Sequence, residues 1–355
     1  MELRGLTVRQ FRNLASLDLE LSPHGVVIIG DNGQGKTNLL EAIYYLVLFR
    51  SLRGVKDREL VRFGEAGFFV AGTAGCRVTA GYEAAGRRKK VTVDGTAVTK
   101  LGDAVGRLLA VSFSPADRAL VAGGPGERRR YLDVLLSLSD RRFLDTLTAF
   151  RAALRQRNAA LRRGQAEAAW AFDGPFAQAA ATVVAARTTW VATHGDRFGE
   201  LCEALGECGR AALAYHVHRG GGATPDDVLR GLAAARDRDA RRGLSTVGPQ
   251  RDALHLTLDG RDIRRVGSSG QHRTAALALR LLEAEALSRA RGTTPIALFD
   301  DAFAELDPER QRRLLDLIAG TLPGQAIVTA PRDAEVPASL LDRPRWRMIG
   351  GRLAA

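Results

Sequence analysis

Apolar and polar residues alternate along LTVRQF (6–11) and LASLDLEL (14–21), and the chain then turns continuously apolar at GVVIIG (25–30). Alternation with a period of two marks strands with one exposed face, whereas an unbroken apolar run marks a strand buried on both faces. NLLEAIYYLVLF (38–49) predicts a helix. From about 67 to 100, short β-branched runs around an Asp94–Gly95 turn predict an antiparallel hairpin patch, with the basic cluster GRRKK (86–90) at a tip. LLAVSFSP (108–115) is one more strand, ended by its proline.

The pattern changes between about 126 and 240, where Ala, Arg and Leu dominate and β-branched runs are few. Leu144, Leu147, Leu154 and Leu161 form a helical stripe with arginines on other faces. GGGAT (220–224) reads as a loop, and the chain is helical again from Asp226. ALHLTLDG, TPIALFDD and GQAIVTA then return to strand-like patterns resembling the opening region. The two ends, 1–115 and 244–355, are therefore expected to form one α/β domain interrupted by a helical arm, 116–243. No internal repeat and no long low-complexity linker occurs.

At 355 residues and 45% hydrophobic content, the chain can bury one large core or two moderate ones. No stretch approaches the roughly 18–20 apolar residues of a membrane span. MELRGLTVRQFRN lacks the apolar core of a secretory signal, so a cytoplasmic protein with no membrane partner is expected. The net charge of +12 points to an anionic partner, most commonly nucleic acid. Only five of the 52 basic residues are lysines. A GC-rich coding sequence favours Arg in the same way, so the excess charge carries the argument and the Arg preference does not. Cys76, Cys202 and Cys208 lack CxxC spacing and read as free thiols. His216 and His218 near Cys208 match no familiar zinc pattern, and no structural metal is expected.

Gly30, Asp31, Asn32, Gly33, Gln34, Gly35, Lys36 and Thr37 spell GxxxxGK[ST] between a buried strand and a helix. Glycines let backbone N–H groups close around phosphate oxygens, with Lys36 reaching the β and γ phosphates and Thr37 binding Mg²⁺. A glycine-rich turn binding nothing would leave the lysine unexplained. Hydrolysis also needs a carboxylate for magnesium and a base for water. PIALFDDAF supplies both, Asp300 on the Mg²⁺ side and Asp301 as the candidate base; the competing reading is a pair of acids capping a strand. A GTPase would carry Asn-Lys-x-Asp, which is absent, and a helicase would need a second motor domain, for which there is no room.

Between the arm and the Asp300 strand, Ser268-Ser269-Gly270-Gln271 opens a long amphipathic helix ending near Arg291. Ser268 with Gln271 makes a capping box, and the same helix start is an anion site. Facing a nucleotide held by another subunit, it would make ATP the glue between two heads. Asp307 is a further N-cap, with Pro308 at the first helical position.

The order of phosphate loop, Ser-Gly loop, acidic strand and AELDPER resembles the head of the ABC/SMC class of ATPases. Within that class the chain resembles the RecF family of bacterial recombination mediators over nearly its whole length. The pieces that carry the resemblance are FRNLASLDLEL, GDNGQGKTNLLEAIYYL, FRSLR with DRELVRFG, FSPADRALVAGGPGERRRYLDVLL, VGPQRDAL, SSGQHRTAALALRLLEAE and FDDAFAELDPERQRRLL. The resemblance implies an α/β fold: an ABC/SMC-type ATPase head, with a mixed sheet bearing the P-loop and an antiparallel β patch, and an inserted α-helical arm. It implies ATP and Mg²⁺ as cofactors. The nucleotide would be held by the loop through Asn38, by Arg12 and Asn13, and by Ser268, Gly270, Gln271 and Asp307. Lys36 and Asp301 would be catalytic, and Thr37 and Asp300 would hold the metal. It further implies an ATP-dependent homodimer that binds single-stranded DNA, gaps and ss/ds junctions. Such proteins work with RecR and RecO and help load RecA in repair, replication restart and the SOS response.

Some positions depart from the family pattern. Gln250 and Ala253 replace a His and an Asp of the usual GPHRDDL, and Ser269 stands where Gln is usual. No clear Q-loop glutamine follows AVSFSP, and Thr329 occupies the switch-histidine position. With Asp301 shorter than the Glu common in ABC proteins, slow hydrolysis is expected, and a DNA clamp with negligible turnover is the alternative. A transporter ATPase subunit is disfavoured by the arm and the charge. A helical leg of about 25 residues spans roughly 40 Å at 1.5 Å per residue, enough for a clamp wall and too short for a long coiled coil. Arg128 to Arg130 could pair with acids inside the fold, which would make GERRRYLD partly structural, or be left for an anionic partner.

Overall fold

In the computed structural model, which describes residues 1–303, 306–340 and 342–354, the chain divides into two units, 1–117 with 283–355 and 118–282. The first unit opens with β1 (Gly5–Phe11) and β2 (Leu14–Glu20), whose burial alternates as their sequence does, and β3 (Gly25–Ile29), buried throughout. α1 (Lys36–Leu48) follows the phosphate loop. β4 (Gly67–Ala74), β5 (Cys76–Glu83), β6 (Arg88–Val93) and β7 (Thr96–Ala97) are the hairpin patch, and β8 (Ala110–Phe113) the strand before the proline.

The second unit contains α2 (Arg118–Ala122), α3 (Pro125–Ser139), α4 (Arg141–Arg162), α5 (Ala166–Trp170), α6 (Asp173–Ala204), β9 (Ala211–His216) and α7 (Pro225–Arg242). β10 (Ala253–Leu258), β11 (Arg261–Asp262) and α8 (Ile263–Val266) lead into α9 (Ser269–Arg291), the helix within which the unit boundary falls. The first unit is then completed by β12 (Ile296–Asp300), α10 (Pro308–Thr321), β13 (Ala326–Ala330), β14 (Arg345–Ile349) and β15 (Arg352–Ala354).

Two six-stranded sheets build the first unit. One, ordered β2-β1-β4-β5-β6-β7, is antiparallel; the other, ordered β15-β14-β3-β13-β12-β8, is parallel apart from the β14–β15 hairpin. α1 packs against β1, β4 and β5 of the first and β8, β12 and β13 of the second. Sandwiched in this way it is buried nearly all round, as a helix of such apolar sequence must be. Its start is placed at the C-terminal ends of β3 and β12, where open α/β sheets bind ligands.

The strand reading of ALHLTLDG holds, but its placement differs from the sequence expectation. β10 pairs with β9 and β11 in a three-stranded sheet of the second unit, and the return to the first unit falls at Glu283 rather than at 244. Local alternation specifies a strand but not its partner, and the nearest antiparallel pair, Ala253 with His216, is already 37 residues apart in sequence.

The buried stripe of α4 also differs. Phe143, Leu147, Phe150, Ala153, Arg157, Ala160 and Leu161 are buried, while Leu144 and Leu154 are only partly covered. Arg157 is fully buried, because Asp173, Asp239 and the Ser245 hydroxyl receive its N–H groups at 2.9, 2.7 and 2.7 Å. Arg128 and Arg129 donate to carbonyls rather than to acids. Arg128 Nε reaches Leu254 O at 2.7 Å and Nη1 reaches the carbonyls of Val121 and Gly123 at 3.1 Å, and Arg129 Nη1 reaches Asp252 O at 2.8 Å. A guanidinium capping the C-terminal carbonyls of α2 satisfies groups that a helix end leaves open.

Candidate functional site

The phosphate loop leaves β3 at Gly30 and enters α1 at Lys36. Gly35 has φ +113°, and a Cβ there would lie 2.7 Å from Asn13 Oδ1, so conformation and space both demand glycine. Asn13 is wedged against the loop, donating from Nδ2 to Gln34 O at 3.1 Å and accepting from Asn38 Nδ2 at 2.9 Å. Gln34 is also held by the neighbouring β14–β15 turn: its Oε1 accepts Gly350 N–H at 2.6 Å and its carbonyl accepts Gly351 N–H at 2.8 Å. The loop is thus clamped by the β1–β2 turn and the β14–β15 turn.

Lys36 is buried, donating to the carbonyls of Gly30 at 2.7 Å and Asp31 at 3.3 Å, with its Nζ 3.9 Å from Asp301 Oδ2. Thr37 Oγ1 donates to Asp300 Oδ1 at 2.8 Å. Asp300 ends β12 between β8 and β13, so the strand order itself brings it to the start of α1. Burial pushes its carboxyl above the usual carboxylate range; the hydrogen bond from Thr37 opposes this, the Asp301 charge adds to it, and the hydrogen bond from Thr329 opposes it again. A hydroxyl and a carboxylate oxygen this close are the hard oxygen donors that Mg²⁺ takes beside a phosphate loop.

Arg12 and Glu41 join the site from either side of Asn13 and Asn38. Glu41 is fully buried on α1, receiving hydrogen bonds from Arg12 Nε at 3.2 Å and Ser51 Oγ at 2.6 Å, with Arg53 Nε 3.9 Å away. Arg12 Nη1 also reaches Glu59 O at 3.1 Å. The sequence expectations did not include Glu41, Ser51 or Arg53. A lone acid in the apolar run NLLEAIYYL was the available signal, since a buried charge needs partners.

Ser268, Gly270 and Gln271 belong to the second unit. There the capping box is formed in full: Gln271 N–H donates to Ser268 Oγ at 3.2 Å, and Ser268 N–H donates to Gln271 Oε1 at 2.9 Å. Asp307 caps α10, accepting Arg310 N–H at 2.9 Å, with Pro308 next. Of the AELDPER stretch, Ala304 and Glu305 lie outside the described residues. Gln250 donates to Val247 O at 2.8 Å within its own loop.

Residues 2–339 match the RecF/RecN/SMC N-terminal domain. The chain is 40% identical to the DNA replication and repair protein RecF of Anaeromyxobacter dehalogenans over 93% of its own length and 92% of that protein's. The chain belongs to the RecF family. Another member, from Salinibacter ruber, is 36% identical over 97% of this chain and 88% of its own. Among solved structures, the recombination mediator RecF with ATP, of the RecFOR pathway, superimposes with a TM-score of 0.90 at 29% identity, covering 99% of this chain and 97% of that one. An Smc head bound to the winged-helix domain of ScpA shares the fold, with a TM-score of 0.57 at 15% identity over 100% and 98% of the two chains. The ABC/SMC-type fold read from the motifs is the fold this family has.

Proposed function

We propose that this RecF-family chain is an ATP-dependent DNA repair mediator whose nucleotide site switches it between states. The observation that carries the reading is the meeting of Thr37 with Asp300 across 263 residues of sequence, beside Lys36 and Asp301. Thr37 and Asp300 fit a Mg²⁺ ion, which when bound would neutralise phosphate charge. Lys36 would bind the β and γ phosphates, and Asp301 would take a proton from the attacking water. Known RecF structures contain ATP, and curated relatives are named for DNA replication and repair.

The arm offers support for a DNA partner. Arg162 and Arg163 at the end of α4, and Arg241 and Arg242 at the end of α7, are exposed and have no acidic partner among the described residues. Gly243 lies against the Arg162 stem, so these helix ends adjoin. One cation per helix C-terminus offsets the dipole; the surplus suits phosphates, read without sequence and weakened by salt.

In the full reading, ATP joins two copies through the Ser268 helix start of one and the phosphate loop of the other. The dimer binds gaps and junctions, acts with RecR and RecO to load RecA, and releases DNA on slow hydrolysis. Sedimentation with and without ATP and gapped DNA tests it, using wild type and Asp301→Asn. Wild type should sediment as a dimer only with ATP, and the variant should stay dimeric on DNA after free ATP is removed. Unchanged release by the variant would favour the clamp with negligible turnover.

A further inference from the structure

β13 is buried along its whole length, and Thr329 stands in register with Asp300 on one side and Ile28 on the other. A hydroxyl in so buried a strand has to find partners. Its Oγ1 accepts the Asp301 N–H at 3.1 Å and lies 3.2 Å from an oxygen of each of Asp300 and Asp301, and 3.3 Å from Phe299 O. A hydroxyl has one proton, so only one of those three oxygens receives it at a time.

Asp300 already takes the Thr37 proton over a shorter distance, 2.8 Å. Among the described residues, the Asp301 carboxylate is approached by Thr329 at Oδ1 and by Lys36 at Oδ2, 3.9 Å away. Asp301 also has φ +47°, the left-handed region that costs a non-glycine residue roughly 1–2 kcal/mol. A residue held there needs its surroundings to fix it. Thr329 touches it at both ends, main-chain N–H and side-chain oxygen.

We infer that Thr329 is the positioning residue for Asp301, its hydroxyl holding the carboxylate so that the second oxygen faces Lys36. This rests on the ATPase reading above. The hydroxyl sets direction and carries no charge of its own, so it orients the candidate base and leaves proton transfer to Asp301.

The test compares wild type with Thr329→Val, which keeps the shape and loses the hydroxyl, and Thr329→Ser, which keeps the hydroxyl. Three quantities are measured: affinity for a fluorescent ATP analogue, the Mg²⁺ midpoint of that binding, and phosphate release. Thr329→Val should hold affinity and Mg²⁺ midpoint within about threefold and lose tenfold or more in phosphate release, with Thr329→Ser close to wild type. In an Asp301→Asn background, Thr329→Val should add no further loss, as coupled residues act as a unit. Wild-type phosphate release by Thr329→Val overturns the inference. So does a tenfold shift of its Mg²⁺ midpoint, which would assign the hydroxyl to Asp300, or a further loss on top of Asp301→Asn. Thr329→Cys replaces the valine variant if that chain does not fold. A wild-type chain that binds no ATP overturns the functional reading itself, before any variant is compared. One that binds ATP and releases no phosphate removes the role of Asp301 and this inference with it.

Discussion

The Thr37 hydroxyl donates to Asp300 across 2.8 Å, joining the first turn of a helix to the end of a strand 263 residues later. Asp300→Asn should therefore weaken Mg²⁺-dependent ATP binding by about tenfold or more, roughly 1.4 kcal/mol, while leaving Mg²⁺-independent binding little changed. Calorimetric titration with and without chelator measures both.

The same carboxyl has a pH signature. Its value in the fold is raised above the ordinary 3.8, first by burial. Mg²⁺-dependent affinity should be full above the raised value and decline as pH falls through it. Stability of the nucleotide-free chain runs the other way for this group: its contribution is present at low pH and lost as pH rises through the folded value. Denaturation of wild type and Asp300→Asn across pH 4 to 8 should show the two curves diverging toward high pH, the variant being the more stable.

Glu41 is the shared acceptor of Arg12 and Ser51. Glu41→Ala leaves a buried hydroxyl and a mostly covered guanidinium without their carboxylate, and should cost about 1–3 kcal/mol. Chemical denaturation gives that figure. Because Arg12 and Asn13 share the β1–β2 turn that wedges Gly35, ATP affinity should fall with it.

Arg157 makes a sharper case. Replacing it with Met leaves Asp239 buried without its cation and Asp173 with only the half-exposed Arg236, 3.7 Å away, an expected loss of about 3–5 kcal/mol. The loss should appear in the arm unit, as earlier proteolysis within 118–282, with ATP affinity of the first unit unchanged.

Ser268 is engaged in its capping box, so Ser268→Arg loses about 1 kcal/mol of helix stability whatever else it does. Ser268→Ala measures that part alone. If the helix start meets the nucleotide of a second copy, the arginine variant should lose ATP-dependent dimerisation by sedimentation while still binding ATP. Loss of monomer binding in both variants would reduce Ser268 to a cap.

The phosphate loop and the acid pair were legible in sequence because each is local: a glycine spacing, and an apolar run that ends on two carboxylates. Glu41, Arg157 and Thr329 were less legible, since each is explained only by partners far away in the chain. Arg157 looked like one more surface arginine on a helix, and nothing nearby in sequence announces Asp239 or Ser245. The β9–β10 pairing failed to show for the same reason. AALAYH alternates too weakly to stand out among helices, and the strand it pairs with was read as part of the other unit.

The clamp on Gln34 ties the phosphate loop to a residue 316 positions later in the chain. The loop is held by the turn at Asn13 and by Gly350 and Gly351, and its strand β3 lies between β13 and β14. A nascent chain that has released only the first 117 residues has the loop sequence but neither flanking strand nor the second anchor. Domains generally fold as units, and long-range strand pairing comes late. The phosphate loop thus has its full set of anchors only in a chain that includes the β14–β15 hairpin, and a truncated chain carries the motif without them.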